Sequence, residues 1–254
     1  MARIPDSWLP DWRDASAYSF AQLDRRGFAW EWLRRDPAYR DAALAALGND
    51  ADRVADAASW GLVRFEHPHL AVPVARPIWL RAIDASVLCA MPCDSASACF
   101  ALHLSALRRF ITIAAAPDRT HVLVTDGWRQ IRFDVGRLVD PSRPWALHWE
   151  VLGLAHAGKA LDELARLISF ARLGRFASRL SPRETRAHRW ELALRAHDAL
   201  AAGARQRNIA TLFSAAVLVE RWRVDEPCLR LRAQRLTHLS ASLVGLGFAA
   251  RYLG

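Results

Sequence analysis

Cys89, Cys93 and Cys99, with His103 close behind, are the residues whose types and spacing come nearest to a metal site in this 254-residue chain. Three thiolates and an imidazole are a chemically sound zinc set. The intervals, however, are not the short C-x2-C pairs that close a structural knuckle, so buried apolar thiols are the better reading, and no metal or other cofactor is expected. Catalysis finds as little support. No G-x-S-x-G, P-loop, H-E-x-x-H or dinucleotide glycine pattern occurs, and the acidic residues are spread without a pair placed for acid and base work. The nine histidines are scattered, and His148 beside Trp149 reads as a half-buried residue of a strand. The chain is not expected to be an enzyme.

What the sequence does concentrate is cationic charge. Residues 151–254 carry 17 basic against 8 acidic side chains, which accounts for the whole formal excess of +9. Lys159 is the only lysine. Biased codon usage explains arginine over lysine but not the asymmetry between the two ends. A basic segment joined to a near-neutral one suits a phosphate-binding module with a separate regulatory or assembly part.

The charge culminates between Ala202 and Arg235. A short helix carrying Gln206, Ile209, Ala210, Leu212 and Phe213 is followed, after a linker, by a second helix over Cys228–Leu246. On a helical wheel Leu229, Ala233, Leu236, Ser240 and Leu243 share one face. Arg230, Gln234, Thr237 and His238 fall opposite, with Arg232 and Arg235 flanking the apolar stripe. Arginine and glutamine have paired donors and acceptors suited to guanine and adenine edges, and flanking arginines suit phosphates. The expected DNA-contacting set is Arg205, Gln206, Arg207, Arg221, Arg223, Arg230, Arg232, Gln234, Arg235 and Thr237, with Arg230 and Gln234 reading bases. The competing account of these side chains is a solvated helix face.

These helices require a scaffold, and the chain divides into three parts. Residues 1–60 are tryptophan-rich and helical: Tyr18, Leu23, Phe28, Trp32 and Leu33 approach helical spacing, and Asp36 with Pro37 starts a second helix through Leu47, ended by Gly48. So many large aromatics leave some for an interface, and Trp12, Tyr18, Trp30, Trp32 and Tyr39 are the expected interdomain residues. Residues 61–152 hold an arm broken by Pro68, Pro73 and Pro77, then a small antiparallel sheet from Phe110–Ala114, His121–Val124, Gln130–Val135 and Ala146–Val151. Asp126-Gly127 marks its hairpin. Residues 153–254 are helical, with helices at Lys159–Leu173, Thr185–Ala202, Gln206–Phe213 and Cys228–Leu246, and an uncertain one at Ala216–Arg223. Gly174 and Gly203 sit at C-terminal caps, and Ser181-Pro182 with Glu184 forms a capping signal. The fold class is α+β, mainly α: an N-terminal helical domain, a small central antiparallel sheet and a C-terminal helix-turn-helix.

The C-terminal segment resembles the RovC-like DNA-binding domain family of bacterial transcription regulators. The resemblance is carried by Leu194, Leu200, Ala202, Gly203, Ala204, Gln206, Arg207, Ile209, Ala210, Leu212 and Phe213, then Trp222, then Leu229, Arg230, Arg235 and Leu236. Asp11 to Arg13, Tyr18, Phe28 to Glu31 and Leu33 to Arg40 are similar to the small N-terminal domain of FseA-type activators of conjugative transfer. The resemblance implies an extended turn between the two helices, matching the gap from Ser214 to Pro227. It implies a transcription activator of mobile-element transfer or type VI secretion genes, bound to double-stranded DNA, with RNA polymerase as a possible partner. It also supplies the alternative: single-domain relatives with an acidic surface act as antiactivators by occupying an activator's N-terminal domain. Three positions depart from the family pattern: Arg205 stands where a serine-type N-cap is common, Asn208 replaces an acidic residue and Ser214 a glycine.

Met1 to Phe20 has no apolar core behind a basic start, and no stretch approaches the roughly 20 apolar residues that cross a bilayer. A cytoplasmic protein with reduced thiols and no membrane contact is expected. The segment Lys159–Phe176 is amphipathic, with Leu161, Leu164, Leu167, Ile168 and Ala171 read as its core face and Arg166, Arg172 and Arg175 opposite or flanking. Operators read by such regulators are often repeated, so a homo-oligomer is expected.

Overall fold

The computed structural model describes residues 9–46, 56–93, 102, 107–136, 145–151, 153–213 and 227–254. They form a mixed α+β structure. A 3-10 turn at Ser16–Tyr18 leads to α1 (Arg25–Leu33) and α2 (Pro37–Ala46). The strands follow as β1 (Leu88–Pro92), β2 (Ile111–Ala115), β3 (Thr120–Thr125), β4 (Gln130–Val135) and β5 (Leu147–Glu150). The chain then runs through α3 (Leu154–Leu173), α4 (Ala187–Ala201), α5 (Gln206–Ala210), α6 (Pro227–Leu243) and α7 (Gly247–Tyr252).

Local chemistry sets the element ends. The Asp24 carboxylate accepts the Gly27 N–H at 2.9 Å, capping α1, and its other oxygen accepts the Gln130 N–H of β4 at 2.6 Å. One side chain thus starts a helix and pins it to the sheet. The Asp36 carboxylate accepts the Ala38 N–H at the start of α2. Gly174 and Gly203 adopt positive φ where helices end, as their positions suggested. The helix expected over Cys228–Leu246 stops at Leu243, Gly245 turns the chain at φ 64°, and α7 follows where no helix was expected. The helix expected to run through Leu47 ends, as far as it is described, at Ala46, and Gly48 lies outside the described residues.

The sheet order is β2-β3-β4-β1-β5. β2, β3 and β4 form an antiparallel meander whose β3–β4 turn is built on Asp126-Gly127, and β5 runs antiparallel to β1. The expectation of a purely antiparallel sheet is corrected by β1, which lies parallel to β4 with Leu88 beside Phe133. Parallel neighbours need a long crossover, here the chain between residues 92 and 130, and no hairpin signal announces one. Gly127 is required at the turn: its φ is 98°, and a Cβ there would lie 2.6 Å from the Pro73 carbonyl oxygen.

Two large apolar clusters fill the interior. One joins Trp12, Tyr18, Phe28, Trp30 and Trp32 of the N-terminal segment to Trp190 and Ala193 of α4, Ile209 of α5, Leu236 of α6 and Phe248 of α7. The other lies between the sheet, with Val122, Ile131 and Phe133, and α3, with Leu167 and Phe170. The α3 face assigned to the core from sequence is rotated in the structure. Leu167 is buried, but Leu161 and Ile168 point outward at 57% and 38% exposure. The helix is apolar on two faces, so periodicity alone did not single out the inner one.

Candidate nucleic-acid interface

The interface is assembled from the residues that hold α4, α5 and α6 together. Ile209 and Ala210 of α5 and Ala233, Leu236, Ser240 and Leu243 of α6 are buried against α4. The missing serine-type cap at Arg205 is offset by Asn208, whose side-chain oxygen accepts the Arg205 N–H at 2.9 Å. This is the reciprocal half of a capping box. The stripe expected on α6 is therefore the buried one, with Leu229 at its half-buried edge.

The opposite face of α6 carries Leu231, Gln234, Arg235 and His238, all exposed. Leu231 and His238 stand at its centre, Gln234 on one side, and Arg235 on the side toward Arg232, where both line the groove between α4 and α6, the flank expected of them. Arg230 lies on the shoulder, half-buried, and its Nε is buried with no hydrogen-bond partner among the described residues. Thr237 is half-buried and its hydroxyl donates to the Ala233 carbonyl at 3.0 Å, a bond that draws it back onto the helix. On the other shoulder Arg232 is exposed, with its guanidinium 4.3 Å from the Phe213 ring centroid. Arg205 and Arg207 are exposed at the start of α5, where Gln206 is half-buried. Arg221 and Arg223, together with the expected helix Ala216–Arg223, lie outside the described residues.

Between α4 and α6 lies a groove of about 410 Å³ with an apolar floor, including Leu192, Phe213 and Leu236, and a rim including Arg189, Arg232 and Arg235. Arg189 is exposed and was not picked out from sequence, because it belongs to α4, outside the expected helix pair. The recurrence of arginine at every third position, 183, 186 and 189, was the available signal.

The aromatic set separates into two groups. Tyr18 donates its hydroxyl to Asp198 of α4 at 2.6 Å, Trp32 stands edge-on to His197 at 5.9 Å, and the Trp12 carbonyl accepts from Arg195 at 3.1 Å. These three meet the C-terminal helices. Trp30 and Tyr39 instead pack on each other at 5.7 Å, donating to the Leu70 and Glu66 carbonyls of the proline-rich arm.

Sequence reasoning missed the buried ions that fix this arrangement. Arg35 grips Asp198 with two bonds of 2.7 and 2.8 Å and reaches Glu31 at 2.6 Å, while Arg34 holds the same Glu31 at 2.8 Å. Burial opposes ionisation of Glu31, but Arg34 and Arg35 outweigh it and hold its carboxyl below the usual range. Burial and the Asp198 charge both push the Tyr18 phenol up, so it remains a neutral donor. Arg26 meets Asp84 at 2.5 Å and Glu163 of α3 at 2.6 Å, tying α1 to the sheet layer. Arginines in a basic sequence read as surface or phosphate groups. These are interior struts whose partners lie up to 163 residues away.

Among the described residues no cluster of His, Cys, Asp or Glu is arranged to hold a metal ion. Cys89 and Cys93 are half-buried at β1, and Cys99 and His103 lie outside the described residues.

Comparison with known families brackets the sheet. Residues 11–65 match the proteobacterial transcriptional regulator-like domain. Residues 150–250 match the RovC family, described as a type VI secretion system transcription-factor DNA-binding domain. The two matches bear out the resemblance at both ends of the chain, and both families are regulatory or DNA-binding domains and not enzymes. Among curated proteins none matches the chain. No helix among the described residues is long and apolar enough to cross a membrane.

Proposed function

We propose that this chain is a sequence-specific DNA-binding transcription activator that enters the major groove with the exposed ridge of α6. The observation that carries the reading is the coincidence of a DNA-binding family match with an exposed Gln234-Arg235-His238 ridge backed by a buried stripe. Gln234 and Arg235 contact base edges, with Arg230 at the shoulder, and Arg205, Arg207 and Arg232 hold phosphates on either side. The extended turn and its Arg221 and Arg223 add further phosphate contacts. The parts 1–60, 61–152 and 153–254 serve as regulatory segment, spacer and DNA-binding segment. The protein works in the cytoplasm as a homo-oligomer, recruits RNA polymerase, and controls mobile-element transfer or type VI secretion genes.

The alternative role, an antiactivator occupying a related activator's N-terminal domain, is disfavoured by one feature. α4 and the residues just before it are already covered by the chain's own N-terminal segment, through Tyr18 and Arg35 on Asp198, the Phe20 N–H on Glu191 at 2.8 Å, and Arg25 on Glu184, ahead of α4, at 2.7 Å. A mobility-shift titration on the DNA upstream of the chain's own gene, at two salt concentrations, tests the choice. Salt-sensitive, sequence-preferring binding that an Arg230→Ala/Arg235→Ala variant loses supports the activator. No shift by the wild type at low salt overturns it in favour of the antiactivator.

A further inference from the structure

We infer that the groove between α4 and α6 is an effector site for a small organic acid, one carboxylate on an apolar body, and that the acid competes with DNA. The binding itself is independent of the regulator reading; the competition rests on that reading, because Arg232 and Arg235 serve both ligands.

The floor sets the body of the ligand. Leu236 is buried, and Leu192, Phe213 and Leu239 are half-buried around it. The volume, about 410 Å³, lies within the range of about 300–1,000 Å³ that small-molecule sites occupy. On α6 the lining runs from Arg232 to Leu239, about 10 Å along the helix axis, the reach of a medium-chain or bicyclic acid. A DNA backbone offers phosphate and sugar, which can use the rim but leave such a floor unfilled. An apolar body covers the floor and gains from leaving water.

The rim sets the charge. Arg232 and Arg235 stand one turn apart on α6, and Arg189 lines the same groove from α4. All three are exposed, and none forms an ion pair or a side-chain hydrogen bond among the described residues. No acidic side chain lines the groove. Glu191, the nearest acid along α4, instead accepts the Phe20 N–H at 2.8 Å. Arg232 is already held over the floor, 4.3 Å from the Phe213 ring centroid, so a cation is in place above the apolar surface before any ligand arrives. A guanidinium grips a carboxylate with two parallel N–H bonds, and a neutral or cationic ligand finds no such partner here. Arginine charge over an uncharged floor therefore selects an anionic amphiphile.

Isothermal titration calorimetry of the full chain, free of DNA, tests the inference with two probes, 2-naphthoate and decanoate. Uncharged 2-naphthol and acetate, which has the charge without the body, are the controls. The expected result is that at least one probe acid binds, at least tenfold more tightly than either control. Arg189→Glu, an exposed position outside the expected DNA-contacting set, should weaken that binding at least tenfold with an unchanged melting temperature, and Leu192→Asn should weaken it through the floor. Binding by neither acid at millimolar concentration overturns the inference, as does binding that 2-naphthol matches or that both variants retain. An acidic, leucine-containing peptide that binds where neither acid does overturns it in favour of a protein segment. The acid that binds should also lower the DNA affinity of the wild type and not that of Arg189→Glu; unchanged DNA affinity overturns the competition. A chain that binds the acid yet shifts no DNA sinks only the regulator reading.

Discussion

Asp198 offers the sharpest test of how the N-terminal segment is held. It is 3% exposed and accepts three hydrogen bonds from residues more than 160 positions earlier: Tyr18 at 2.6 Å and Arg35 at 2.7 and 2.8 Å. Asp198→Ala leaves the Arg35 guanidinium buried with only Glu31, which Arg34 already shares. Removing one partner of a buried ion pair costs about 3–5 kcal/mol, because the remaining charge stays desolvated. At roughly 2–4 °C per kcal/mol for a chain of this size, the melting temperature should fall by roughly 10 °C. Tyr18→Phe removes a single hydrogen bond to a charged group and should cost about 1.5–3 kcal/mol. Urea denaturation followed by tryptophan fluorescence and by circular dichroism measures both. The two probes should move together, since one cluster contains Trp12, Trp30, Trp32 and Trp190. An Asp198→Ala loss below about 1 kcal/mol, or fluorescence and dichroism transitions that separate, would refute the view that this network unites the two ends of the chain.

Gly127→Ala should destabilise by about 2 kcal/mol or more, since the new methyl meets both a positive φ and the Pro73 carbonyl; Gly174→Ala, at φ 64° with open space around it, should cost about 1 kcal/mol. Thermal melts of the pair should show that order, and equal losses would contradict it. Burial raises the Asp24 carboxyl to about 6, so the folded state takes up this proton before the unfolded chain does. Its contribution to stability is therefore greatest below its unfolded value near 3.8 and declines as pH rises toward 6. Carbon-13 NMR of the Asp24 carboxyl should give a midpoint near 6, and a midpoint below 4 would show that the hydrogen bonds from Gly27 and Gln130 outweigh burial. Trp190→Ala, removing a ring in contact with Phe28 and Phe248, should cost about 3–5 kcal/mol in urea denaturation.

How much of this was legible depended on the range of the interaction. The Asp126-Gly127 turn, the glycine caps at 174 and 203 and the buried stripe of α6 are local patterns, and they lie where the sequence placed them. β1 went unread because Leu88–Pro92 has no turn signal at either end and finds its partners across the sheet. α7 went unread because Gly247–Tyr252 is too short to show a period of its own, and apolar residues continuing to Leu246 hid the turn at Gly245. On the candidate interface, helical spacing put Gln234 and His238 outward correctly. It put Arg230 outward too, where the structure has it half-buried, since a long arginine at the margin of a stripe goes to water or onto the core according to its neighbours in space. The same ambiguity concealed Arg26, Arg34 and Arg35, whose burial follows only from Asp84, Glu163, Glu31 and Asp198 meeting them in the fold.

The most direct test of the central claim is the salt dependence of DNA binding, measured by fluorescence anisotropy on a preferred and a scrambled duplex for the wild type, Arg235→Ala and Arg205→Ala/Arg207→Ala. If α6 reads bases and α5 holds phosphate, Arg235→Ala narrows the preference between duplexes by about 1–3 kcal/mol. The α5 double variant then weakens both equally and lowers the log–log salt slope by about 0.9 for each phosphate that an arginine no longer neutralises. Unchanged preference in Arg235→Ala, with an unchanged slope in the α5 variant, would contradict the account and place the DNA-binding surface elsewhere on the chain.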